Sequence, residues 1–485
     1  MGHAVSLPDV ALIYAEHLIT SSSLSSRGGP NGQIPHNFSF NSFRPSTTQP
    51  DLFSPCQSIL FCGSVLNCSA WLRKSSDGAS WVRYSLTTLL LSGVNQFAAT
   101  GGIAETFTKD LLLDPATRNV HEIKHTVVAA ASSSSASRAQ EFLKKVGAPS
   151  SAAAYGSYEE LVKNKDIDIV YVATPHSHHF QNVMLCLEAG KNVLCEKAFT
   201  VNAAQAKKLI DTAREKNLFL MEAVWTRYFP LSIYVRDAIT SGRLGTVIRV
   251  YSDNSMATDP EKTWPDGKHR MVNPELAGGA LLDMGIYSLT WVFQTLYTTQ
   301  SERSRKPPRV VSSMQKYPPT GVDEMTTMLL TFPRDVDAGG NMHAVATTSI
   351  RTASDVDGSG TSGPAVRIYG TQGELQVWPP IYRPTRTRLI LKDGTVEDKN
   401  WPQPGPGKGS GWYNGFGGDL NLEGEGHGMF WEADEAALAL VEGRKEGRFE
   451  SLDESLVIME LMDEVRRQNG LQYPEKIETT EKVEL

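Results

Sequence analysis

Several things are scarce in this chain, and each scarcity excludes a class of protein. Cysteine is one. The five cysteines, Cys56, Cys62, Cys68, Cys186 and Cys195, are too few and of the wrong parity for a disulfide framework. None of them forms the close C-x₂₋₄-C pair of a zinc site, so no metal is expected there. Cys186 and Cys195 stand in apolar surroundings and read as buried thiols. Basic excess is also lacking. Lys and Arg number 47 against 54 Asp and Glu, a net charge of −7, so no nucleic-acid partner is expected. No apolar run approaches the ~18 residues of a transmembrane helix, so no membrane partner is expected and a cytoplasmic protein is. Charge itself is scarce at the front. Residues 1–96 hold nine charged side chains, whereas the remaining 389 hold 92. The front is rich in Ser, Pro and Asn, with weak periodicity, and reads as a low-order or adventitious extension.

Modification and targeting patterns are present but carry little weight. "MGHAVS" fits acylation at Gly2, "NFS" and "NCS" fit sequons at Asn37 and Asn67, and "KVEL" loosely resembles a retention signal. No good signal peptide precedes them.

From residue 97 the chain reads as α/β. Buried strand runs ("HTVVAAAS", "IDIVYVATP", "KNVLCEK", "LFLMEAVW") alternate with amphipathic helices at short spacing. That alternation predicts a doubly wound parallel sheet over 97–225. Ser157 and Glu160 make a capping box before one short helix. Beyond about 245 the pattern changes. A long helix, "GALLDMGIYSLTWVFQTLY", precedes strand-like runs ("RVVSSMQKY", "EMTTMLLTF", "MHAVATTSI", "AVRIYGTQGELQVW", "TRLILKD") separated by Gly and Pro. Over 226–474 this predicts a second α/β domain on a large, mainly antiparallel open sheet. Residues 475–485 read as a tail.

The chemical motifs each lack a member. In the glycine-rich loop "FAATGGIAETF", Ala99 stands where G-x-G-x-x-G/A has its first glycine, and Thr100, Gly101, Gly102 and Ile103 follow. Gly101 still permits the close approach to a pyrophosphate that such loops provide. The strand before the loop is also missing. "LSGVNQ" is a poor one, "SLTTLLL" (85–91) is a possible substitute, and a front altered by faulty translation or splicing is an alternative. The second strand ends on Ser132 and Ser133, with Arg138 after them, and lacks the carboxylate of NAD sites. Hydroxyls and a cation suit a 2′-phosphate, which favours NADP. Thr174 and Pro175 end the next strand. His176, His178 and His179 follow, with no carboxylate or Cys spaced for a metal, so a capping and cofactor-lining role is expected. Glu196 and Lys197 end the strand after that, at the same sheet edge.

Taken together, "TP-x-x-x-H", "AGKNVLCEKAFTVNAAQA", "EAVWTRYFP" and "GGALLDMGIYSLTWV" resemble the Gfo/Idh/MocA oxidoreductase family. Within it the resemblance is to the dimeric dihydrodiol dehydrogenase and NADP-dependent D-xylose dehydrogenase group, over about 98–474. It implies a Rossmann domain binding NADP and a C-terminal domain whose open sheet forms a homodimer. It implies a catalytic role for Lys197, in a motif where Ala198 replaces the proline, and for Asp283 and Tyr287. His179 would lie near the nicotinamide, Glu196 would support the lysine, and Trp225 and Arg227 would meet the substrate. The implied reaction is hydride transfer from a carbinol carbon of a sugar or trans-dihydrodiol to NADP⁺. Tyr287 would take the proton, its pKa lowered by Lys197. The alternative is a non-catalytic NADP-binding sensor of the same fold.

Overall fold

The computed structural model describes residues 80–88, 99–415 and 422–483. Gly2, Asn37, Asn67, Cys56, Cys62, Cys68 and "KVEL" as a whole lie outside these residues. The first sheet has six strands in the order β3-β2-β1-β4-β5-β6. These are β1 (Ser80–Thr88), β2 (Ile123–Ser132), β3 (Ala153–Tyr155), β4 (Ile169–Val172), β5 (Asn192–Glu196) and β6 (Leu220–Ala223). All neighbours run parallel. The helices α1 (Ala99–Leu111), α2 (Ala136–Val146), α3 (His176–Glu188) and α4 (Ala203–Glu215) connect them. This is the doubly wound order, which changes direction between β1 and β4 and opens a crevice at their carboxyl ends.

β1 corrects two expectations. The first strand is not missing, and it is not "LSGVNQ"; the expected substitute, 85–91, holds in part, since residues 85–88 are the last four of the strand. It is "SWVRYSLTT", which lies within the stretch expected to be an extension. The physical reason is a hydrogen-bonding vacancy. β2 and β4 each need a partner on their facing edges, and the β1 backbone supplies both, with Ser85 paired to Ala129 on one side and Val170 on the other.

Side-chain chemistry governs the ends of α2 and of the short helix after it. Ser135 Oγ accepts from Arg138 N at 3.3 Å and starts α2, and Gly147, at φ 73°, ends it. Glu160 N donates to Ser157 Oγ at 3.2 Å.

The second sheet has eight strands in the order β14-β13-β12-β11-β7-β10-β9-β8. They are β7 (Val247–Ser255), β8 (Arg309–Lys316), β9 (Asp323–Phe332), β10 (Met342–Ser349), β11 (Val366–Gly370), β12 (Gly373–Val377), β13 (Arg386–Leu391) and β14 (Val396–Asn400). Only the β7–β10 pair is parallel. The helices of this half are α5 (Pro230–Thr240), α6 (Ile286–Leu296), α7 (Phe430–Glu442) and α8 (Leu452–Gln468). One face of the sheet packs on α6, every residue of which is buried. Pro274–Leu296 is apolar and long enough to cross a membrane by composition, and 94% of its most apolar 18-residue window is buried inside the protein. The expected tail is not loose. Gln205 Nε2 donates to the carbonyls of Ile477 and Thr479 at 2.8 and 2.9 Å, tying that segment to α4.

Candidate active site

The long helix expected over 279–297 is broken at its start. Gly279 sits at φ 125°, and a Cβ there would lie 2.0 Å from Asp323 Oδ1. Only glycine therefore lets Asp323 reach in and accept the N–H of Leu281, at 2.7 Å. Next comes a π-helical turn, Leu281–Gly285, and then α6. Such turns re-aim side chains and recur at functional sites. Here the turn places Asp283 and Tyr287 on the wall of one cavity of about 330 Å³.

That cavity lies at the carboxyl ends of the parallel strands. Thr174, Pro175 and His176 come from the end of β4, Glu196 and Lys197 from β5, and Trp225 from just after β6. The second domain contributes Asn254 and Ser255 of β7, Trp264, His269 and Arg270 of the loop beyond it, and Tyr382. Ile103 of α1 closes the cofactor side.

Asp283 is the hub. Lys197 Nζ donates to its main-chain carbonyl at 2.7 Å and to Oδ1 at 3.1 Å. Arg270 Nη1 donates to the same Oδ1 at 2.6 Å. Burial alone would raise this carboxyl's pKa. The Arg270 and Lys197 charges outweigh it and hold the group well below the usual carboxylate range. Glu196 lacks such support. Burial pushes it up to about 7, against the pull of Lys197 and a hydrogen bond from Tyr171 Oη. His176 stands 3.9 Å from Asp283, and burial lowers it to about 3.

Tyr287 corrects the expected electrostatics. Burial first, then the Glu196 charge, pushes its phenol well above the ordinary value of 10. Lys197 Nζ lies over the ring, 4.9 Å from the centroid, and does not outweigh them. The hydroxyl instead accepts from Trp225 Nε1 at 2.6 Å.

Two expected site residues lie elsewhere. Arg227 is fully buried away from the cavity, bonded to Glu454 and 3.6 Å from Glu450. A guanidinium taken out of water needs carboxylates, and α8 with its preceding turn supplies them. His179 is also fully buried and does not line the cavity. Its ring nitrogens face the carbonyls of Ala198 and Thr174 at 2.9 and 2.8 Å, so it braces the two turns that carry Lys197 and Thr174. Burial lowers it to about 4. Trp225 does line the cavity, and its ring stacks on His427 with centroids 4.8 Å apart.

The cofactor edge suits a dinucleotide phosphate. Ala99, Thr100, Gly101 and Gly102 form the first turn of α1, beside the β1–β4 switch point, where helix N–H groups favour an anion. At the end of β2, Ser133 is exposed and Arg138 half-buried, with no carboxylate between residues 132 and 138. Ser132 is fully buried, and its Oγ lies 2.8 Å from that of Ser134, so it shapes the turn rather than facing a ligand. Arg270, Trp264, His269, Asn254 and Tyr382 also line the cavity, and no motif in the sequence marks them. Arg270 lies 13 residues before Asp283 across irregular chain, a spacing that no helical or strand period marks.

Comparison with known proteins agrees with this geometry. The model of the Gfo/Idh/MocA oxidoreductase family with an NAD-binding Rossmann fold matches residues 103–224, and that of the GFO/IDH/MocA C-terminal domain matches residues 233–376. The chain is similar to the D-xylose 1-dehydrogenase (NADP(+)) of Hypocrea jecorina, 52% identical over 79% of this chain and 93% of that one. It is also similar to the human trans-1,2-dihydrobenzene-1,2-diol dehydrogenase, 36% identical over 73% and 91%. Among solved structures, a 3-ketoreductase from Actinomadura kijaniata in complex with NADP shares the fold. Its TM-score is 0.56 at 20% identity, over 80% of this chain and 98% of that one.

Proposed function

We propose that this chain, which belongs to the Gfo/Idh/MocA oxidoreductase family, is an NADP-dependent dehydrogenase. It removes hydride from a carbinol carbon of a sugar, D-xylose first, with trans-dihydrodiols as the second substrate class. The observation that carries this reading is the cavity shared by Lys197, Asp283 and Tyr287 at the cofactor edge. NADP⁺, when bound, accepts the hydride. The protein's task is to hold the hydroxyl and move its proton.

Lys197 has three N–H donors, and two bonds go to Asp283, which leaves one for the reacting hydroxyl. Tyr287 Oη accepts from Trp225, so its own hydrogen is left for the same oxygen. A phenol held protonated is a ready acid for carbonyl reduction. By microscopic reversibility the same oxygen takes the proton in oxidation. Trp225, Trp264 and Tyr382 offer faces for a pyranose ring or an unsaturated diol ring. Ser133, Arg138 and the first turn of α1 would hold the NADP phosphates.

The test is a screen of pentoses, hexoses and dihydrodiols, following cofactor absorbance at 340 nm with NADP⁺ and NAD⁺. D-xylose turnover with a clear NADP⁺ preference is expected. No turnover of any of these classes, or a preference for NAD⁺, would sink the reading.

The outer face of the second sheet supports a homodimer. Val311, Leu329, Val345 and Tyr251 lie directly opposite one another across β8, β9, β10 and β7. Val311, Leu329 and Tyr251 are exposed, and Ile248 and Met325 extend the apolar surface. A contiguous apolar patch on a sheet face favours association, and a second copy presents the same patch. Light scattering should give twice the chain mass, and Leu329→Glu should return the monomer. A monomeric wild type would remove this proposal.

A further inference from the structure

We propose that Arg270 and the second oxygen of Asp283 form the subsite that recognises the hydroxyl next to the reacting carbon. The inference rests on the function proposed above and names the residues that select its substrates.

Arg270 lines the cavity, and its side chain is 28% exposed. Its five N–H groups have few partners. Nη1 donates to Asp283 Oδ1. Nε is enclosed and has no partner among the described residues, and Nη2 makes no hydrogen bond among them either. Both bonds that Asp283 accepts from cations on its carboxylate fall on Oδ1, which leaves Oδ2 unused. Unlike Nε, neither Nη2 nor Oδ2 is among the enclosed unpartnered atoms of the described residues, and both side chains line the cavity.

An open donor and an open acceptor therefore belong to two groups that are themselves joined, through Nη1 and Oδ1, at 2.6 Å. A hydroxyl donates and accepts at once, so it satisfies both, whereas a methylene satisfies neither. Lys197 shares Asp283 Oδ1 and holds the reacting hydroxyl, so the subsite falls beside the reacting carbon. Trp264 and His269 stack with centroids 4.3 Å apart on the loop that carries Arg270, forming a flat wall next to it.

Hydrogen bonds to charged groups are worth a factor of about 10–100 in kcat/KM when one partner is removed. The test is a four-way comparison at saturating NADP⁺, using wild type and Arg270→Met on D-xylose and 2-deoxy-D-xylose. Wild type should lose about 10–100-fold on the deoxy sugar. Arg270→Met should lose a similar factor on D-xylose, and little further on the deoxy sugar. Independent losses that multiply would show that Arg270 only holds up Asp283 and would overturn the subsite. So would an Arg270→Met enzyme with wild-type D-xylose turnover. Should that variant fail to fold, Arg270→Lys carries the same comparison. It keeps the charge but loses the planar fork, so the same non-additivity is expected, and multiplying losses refute it equally. A wild type inactive on D-xylose overturns the function and the subsite together. An active wild type with multiplying losses overturns the subsite alone.

Discussion

At the scale of single residues, burial sets the chemistry as much as residue type does. Tyr287 is held protonated by desolvation and by the Glu196 charge. In the proposed reaction the form active in oxidation is the deprotonated one, so oxidation should accelerate as pH rises through 7 to 9, while reduction of the corresponding carbonyl stays flat there. Opposite pH trends in the two directions, measured in steady state, are the expected signature. Tyr287→Phe should lower turnover by about 10²–10⁴-fold with little change in NADP affinity. An unaltered turnover number would reassign the proton transfer.

Arg227 makes the contrary case. Its motif suggests a substrate contact, but its guanidinium is closed off with Glu454 and Glu450. Arg227→Met leaves two buried carboxylates without their cation and should cost about 3–5 kcal/mol in urea unfolding. A variant of normal stability with a raised KM would restore the substrate role.

At the scale of elements, the informative pieces are those that join the two halves of the site. Asp110, in the last turn of α1, accepts the N–H groups of His427, Gly428 and Met429 and the side-chain amide of Asn414, at 2.7–2.9 Å. It thereby caps α7 and ties the cofactor helix to the segment that places His427 against Trp225. Burial raises its carboxyl, and these donors offset part of that. Asp110→Ala strands three N–H groups and should destabilise the protein by about 1–3 kcal/mol. Amide exchange should rise first at the start of α7, and uniform exchange across the fold would argue against a local cap.

The helices α2 and α4 were legible because their caps are local. Ser135 and Asn202 each bond an N–H three residues on. The strand β1 was legible only at its end, residues 85–88, because what makes the rest a strand is the unpaired edges of β2 and β4, which lie far along the chain.

At the scale of the whole molecule, the interior holds an unusual store of acids. Glu196 and Glu222 are pushed up to about 7 and Asp323 to about 6 by burial. Glu432 is raised well above its ordinary value by burial and by Glu196, and neither of its oxygens has a partner among the described residues. Raised folded-state pKa values mean that the native protein binds more protons than the unfolded chain above about pH 4.5. Stability should therefore fall as pH rises from 5 toward 8. Asp283 and Asp434 act oppositely. They are held low by their cations despite burial, so their contribution is lost only below about pH 4. Glu432→Gln should raise the Tm by a few degrees at pH 8 and leave it nearly unchanged at pH 5. Equal effects at both pH values would mean that Glu432 is not the proton-binding group.

The sequence by itself determined the elements and the chemical alphabet. Short buried runs alternating with capped helices forced a parallel sheet, and the ends of those strands had to carry Thr174, Glu196 and Lys197, because ligand crevices form there. It also placed hydroxyls and a cation, and no carboxylate, at the end of the second strand, which is the basis for the proposed phosphate contact. Only the tertiary structure decided which residues share a cavity. It seated Lys197 on Asp283 across 86 positions and brought Arg270 to the same oxygen, while removing Arg227 and His179 to brace the frame. It also raised Tyr287 where proximity to a lysine had suggested lowering. The reason is that periodicity and capping act over a few residues, whereas desolvation and Coulomb interaction depend on distance through the folded interior, which no spacing along the chain encodes.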